Sequence, residues 1–164
     1  MTIGIFLKFV EIRTKLASVT PFIIGTFYAL YRYNSFRLEN FLIMLISLLS
    51  FDMATTAINN YIDYKKAEKK KGYGYEKENA IVRYGLSEAT ALAVVFALLT
   101  VAITFGLILT FKTNIVVLLI GMLCFATGIL YTFGPIPLSR MPLGEIFSGF
   151  FMGFIIMFLA IYIH

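Results

Sequence analysis

Five apolar runs of near membrane-spanning length follow one another along this chain, at residues 16–31, 40–62, 89–111, 114–133 and 146–163. A helix needs about 20 mainly apolar residues to cross the hydrocarbon core of a bilayer. Hydrophobic residues make up 60% of the 164-residue chain, more than a soluble domain of this size can bury. In lipid every backbone N–H and C=O must be satisfied within its own segment, so the runs are expected to be helices. The predicted fold is all-α, a polytopic membrane helix bundle with about five transmembrane helices in a single domain spanning residues 1–164. Residues 1–15 carry Lys8, Glu11, Arg13 and Lys15 beside an apolar face and are expected to lie along the interface. They hold no small-residue cleavage site and do not read as a signal peptide.

The net charge of +5 could suggest a nucleic-acid partner, but the cations flank apolar spans and form no groove-binding motif. The single cysteine, Cys124, excludes an internal disulfide and reads as a packing residue. The single histidine, His164, is the last residue, so neither a histidine metal site nor a Ser/His triad is available. With the N-terminus inside, the inner segments hold eleven Lys and Arg and the outer loops three, Arg32, Arg37 and Lys112. That bias places the N-terminus and the 63–88 loop in the cytoplasm of a cell-membrane protein.

The stretch AINNYIDYKKAEKKKGYGYEKENAIVR, residues 57–83, is where polar chemistry enters the apolar segments. Asp52, Thr56, Asn59 and Asp63 are spaced four, three and four apart and share one helix face, with Asn60 at its border. Facing lipid, such groups would cost several kcal/mol, so the stripe must meet protein or a wet cavity. Hydrogen-bond glue between helices accounts for Thr56. Asp52 serves glue or site equally well, whereas Asn60 and Asp63 stand at the cytoplasmic mouth and read as functional. Carboxylate and amide oxygens are hard ligands suited to Mg²⁺, which binds through one or two carboxylates plus substrate phosphates.

Most of the lysines, Lys65, Lys69, Lys70 and Lys71 among them, suffice as topology determinants touching anionic headgroups. Lys66 and Arg83 are taken as diphosphate contacts, since cations neutralise phosphate charge. Arg83 directly precedes a helix start, with Ser87 the expected N-cap and Glu88 opening the helix.

NNYIDYKKA, residues 59–67, resembles the first aspartate-rich motif, NDxxDxxxD, of UbiA-type intramembrane prenyltransferases. YTFGPIPLSRMPLGEIFSGFFMG, residues 131–153, is similar to the connection between the fourth and fifth helices of one branch of that family. That branch prenylates 1,4-dihydroxy-2-naphthoate in menaquinone synthesis, and EIRTKLASVTPFIIGTFYAL, residues 11–30, also fits it. The resemblance implies transfer of a polyprenyl group from a prenyl diphosphate to an aromatic acceptor, with Mg²⁺ as cofactor. Carried over by position, Asn59 matches the motif's asparagine and Asp63 its second aspartate. Asn60 takes the place of the first aspartate as a metal and catalytic ligand beside Asp63. Arg83 would contact diphosphate, and Tyr131 would line the prenyl tunnel.

The third motif position is Ala67, with Glu68 displaced by one. Family members continue past the fifth helix and carry a second aspartate-rich motif there, which no window of this chain supplies. The expectation is therefore a truncated or half enzyme, inactive alone, to which a second chain could supply the rest. In the proline-rich connection, Pro135, Pro137 and Pro142 stop the helix, and Gly134 and Gly144 permit close turns. Ser139 and Arg140 could touch a headgroup or an acceptor carboxylate, and Ser148, Gly149 and Gly153 suggest a helix-packing face. A non-catalytic membrane scaffold and a small transporter using Asp52 as an ion site are the alternatives.

Overall fold

The computed structural model describes residues 1–69, 79–132, 146 and 149–164. A short helix α1 (Ile3–Phe9) and a 3-10 turn (Ile12–Lys15) lead into α2 (Leu16–Tyr33). The long α3 (Leu38–Lys69) and the one-turn α4 (Ala80–Arg83) follow. Then come α5 (Glu88–Lys112), α6 (Ile115–Thr132), a π-helical turn (Gly149–Ile155) and α7 (Ile156–Tyr162). The all-helical architecture expected from the apolar runs is present among the described residues, and every run falls on helix there except at its end residues Asn114 and Ile163. By length and composition Leu38–Lys66 and Glu88–Lys112 can each cross a membrane, while Ile115–Ile129 and Gly149–Tyr162 are shorter apolar helices.

Local signals set the ends of these helices. Ser87 Oγ accepts from the Thr90 N–H at 3.1 Å, so α5 starts where the sequence placed its cap. Asn34, at φ 49°, closes α2 in the left-handed conformation that asparagine tolerates. Gly85, at φ +60°, makes the turn from α4 into α5.

The most extensive packing is α3 against α5, followed by α2 against α7. A Cβ on Gly25 would come within 2.6 Å of the Met157 carbonyl oxygen, so glycine there permits the α2–α7 approach. Gly128 likewise makes room for the Phe51 ring, which a Cβ would meet at 2.7 Å. Gly149 and Gly153 have open space around them among the described residues, so close helix approach runs through Gly25 and Gly128 instead. Ser148 lies outside the described residues.

Two apolar clusters divide the bundle. One gathers Phe22, Met44, Leu109, Ile156 and Ala160 toward the Tyr162 end. The other sets Phe9 and Val10 of the N-terminal segment, with Ala80 and Ile81 of α4, against Ala57, Ala91 and Val95. Burial of Phe9 and Val10 thus docks the amphipathic segment onto the charged end of α3.

Candidate functional site

At 32 residues, α3 is about 48 Å long, well beyond the roughly 30 Å of a hydrocarbon core. A crossing of about 20 residues begun near Leu38 ends just before Asn59. The last turns of α3 therefore carry their polar side chains past the apolar layer.

The structure splits the polar stripe in two. Its inner half is closed by Lys15, whose Nζ donates to Asp52 Oδ1 at 2.8 Å and to Thr56 Oγ1 at 2.5 Å. Ser18 Oγ donates to the other carboxylate oxygen of Asp52 at 2.5 Å, and Lys15 also reaches the Asp52 carbonyl at 3.1 Å. Lys15 and Asp52 are buried, so this carboxylate is fully engaged in tying the start of α2 to α3. Thr56 plays the expected structural part. Sequence reasoning counted Lys15 only as an interfacial cation; the missed signal was that a carboxylate inside an apolar run requires a cation nearby.

The outer half is exposed. Asn59, Asp63 and Lys66 are all exposed, and their i, i+4, i+7 spacing puts them within about 60° on one face of α3. Asn60 is half-buried beside them. Its Nδ2 donates to the Phe9 carbonyl at 2.8 Å and lies 3.4 Å from Glu11 Oε1, which turns its amide nitrogen to the N-terminal segment. Glu11 sits at φ 50°, a left-handed kink that starts the 3-10 turn beside Asn60.

The neighbouring face of α3 is tied to α5 through Glu88. Its Oε1 accepts from the Tyr61 hydroxyl at 2.6 Å and its Oε2 from Lys65 Nζ at 2.8 Å. Lys65 thus reaches toward α5, while Lys66 is exposed on the face it shares with Asn59 and Asp63.

Arg83, exposed at the end of α4, sets its guanidinium 5.9 Å from the centre of the Tyr84 ring. Lys8 of α1 lies over the same ring at 5.1 Å, so two cations from different elements converge there. Tyr131 belongs to the last turn of α6, but its side chain is outside the described residues, as are Glu68's side chain and all of Arg140 and the proline-rich connection.

No cluster of three or more His, Cys, Asp or Glu side chains able to hold a metal ion occurs among the described residues. The donors at the open stripe are one carboxylate, Asp63, and the amide oxygens of Asn59 and Asn60. All are hard oxygens, and that set fits Mg²⁺ where substrate phosphates complete the coordination.

A helical membrane protein with exposed oxygen donors and cations at one end of a long apolar helix is the class defined by this fold and site. Residues 18–164 match the UbiA prenyltransferase family, and the chain belongs to it. It is 35% identical over 153 residues to the 1,4-dihydroxy-2-naphthoate octaprenyltransferase of Bacillus subtilis (strain 168), a match covering 92% of this chain. The chain spans about half the length of that relative, 48%. No solved structure matches it.

Proposed function

We propose that the open end of α3 binds the diphosphate of a polyprenyl diphosphate, and that the chain serves transfer of its prenyl group to a dihydroxynaphthoate-type ring in menaquinone synthesis. The observation that carries this is that Asn59, Asp63 and Lys66 are exposed together on one face of α3, past the Asp52 carboxylate that Lys15 and Ser18 engage. Family membership and the likeness to a naphthoate octaprenyltransferase support the substrate classes.

In this reading Asp63, with the amide oxygen of Asn60, would hold Mg²⁺, and Asn59 would bind the substrate beside them. The ion would supply positive charge against the diphosphate. Lys66 and Arg83 bind the remaining phosphate oxygens and stabilise the charge that grows on the diphosphate as the allylic C–O bond breaks. A ring carbon of the acceptor then attacks the allylic cation, and the ring regains aromaticity as that carbon gives up its substituent, a proton or its carboxylate as CO₂. By the family resemblance Tyr131 would line the prenyl tunnel, and Arg140 would contact the acceptor carboxylate. The apolar helices hold the hydrocarbon chain in the membrane, and the charged end of α3 faces the cytoplasm.

Titration of the purified chain with farnesyl diphosphate, with and without Mg²⁺, tests this. Saturable binding that needs the cation and is displaced by inorganic diphosphate is expected. Partition of the lipid into detergent alone, indifferent to Mg²⁺, would remove the reading.

A further inference from the structure

Asn79 is buried, at 9% exposure, and uses both ends of its carboxamide. Its Oδ1 accepts from the Ile81 N–H at 2.9 Å and caps α4. Its Nδ2 donates across to the main-chain carbonyl of Asn60 on α3 at 2.8 Å. Its own carbonyl accepts from the Arg83 N–H at 2.9 Å. Two hydrogen bonds in series therefore connect the backbone of Asn60 to the backbone of Arg83.

A four-residue helix has no stability of its own. Burial of Ala80 and Ile81 holds α4 against the apolar cluster, but apolar contacts are non-directional and leave its orientation loosely set. The Asn79–Asn60 bond is directional and fixes where Arg83 stands relative to the stripe next to it. We propose that Asn79 is a positioning residue, setting the separation between the Asn59/Asp63 face and Arg83 to suit a two-phosphate headgroup bridging them. This rests on the reading under Proposed function.

The test separates the cap from the cross-tie. Asn79→Asp keeps an acceptor for the Ile81 N–H and loses the donor to Asn60; Asn79→Ser does the same with a smaller side chain. Thermal unfolding and Mg²⁺-dependent farnesyl diphosphate binding are measured on the full chain for wild type, N79D, N79S, R83Q and N79D/R83Q. Expected is binding about tenfold weaker in both single Asn79 variants, since one directional hydrogen bond is lost, with N79S, which buries no charge, unfolding close to wild type. The double variant should bind no more weakly than R83Q alone, because Asn79 acts through Arg83. Wild-type affinity in N79D, or additive losses in the double variant, would overturn the proposal while the diphosphate reading stands. Failure of both N79D and N79S to fold would overturn it in favour of a purely structural tie. No binding by wild type would remove the diphosphate reading and this proposal together.

Discussion

The ammonium of Lys15 lies 2.8 Å from Oδ1 of Asp52, with both side chains withdrawn from the surface. The pair joins the end of the N-terminal segment to the middle of α3, and Ser18 and Thr56 complete its hydrogen bonding. A buried ion pair repays its desolvation only with such geometry, and breaking one partner strands the other charge.

Lys15→Met is expected to destabilise the protein by about 3–5 kcal/mol, with Asp52→Leu comparably damaging. The double variant should recover most of the loss, because no unpaired charge then remains. Thermal unfolding in detergent across the four-protein cycle checks this. Additive losses would mean the two side chains do not act as a pair.

Gly85→Ala is expected to cost about 1 kcal/mol, since φ +60° disfavours a Cβ. Nothing lies within 4 Å of the Cβ position, so the loss is conformational rather than steric. Gly85→Asn should cost less, because asparagine visits the left-handed region more readily. Chemical unfolding of the three proteins gives the ranking.

Burial, and secondly the charge of Arg37, hold the His164 imidazole below its usual pKa. Its Nδ1 accepts from the Arg37 N–H at 3.1 Å, which requires that nitrogen to be unprotonated. The unfolded chain therefore binds a proton more readily than the folded one, and stability should fall as pH drops below about 6.5. In His164→Asn the part of the acid loss that arises here should vanish, as unfolding midpoints at pH 5 and pH 7.5 would show.

What sequence reading captured and missed follows from distance along the chain. The helices and the Ser87 cap were legible because hydropathy period and capping are local, the cap spanning three residues. That Asn59 and Asp63 share a face was legible for the same reason, as residues four apart on a helix must share a side. Lys15 with Asp52, 37 residues apart, and Asn79 with Asn60, 19 apart, were not. Each of those four residues has an ordinary local reading, and only the packing of the 3-10 turn and α4 onto α3 brings them together.

The central claim is that the carboxylate at the open end of α3 serves the diphosphate site while the one buried by Lys15 serves the fold. Farnesyl diphosphate titration of wild type and Asp63→Ala in the presence of Mg²⁺, with unfolding followed in parallel, tests it most directly. Loss of a charged ligand is expected to weaken binding by at least about tenfold, while the unfolding midpoint barely moves because Asp63 is exposed. Equal affinity for the two proteins, with wild-type binding intact, would contradict it.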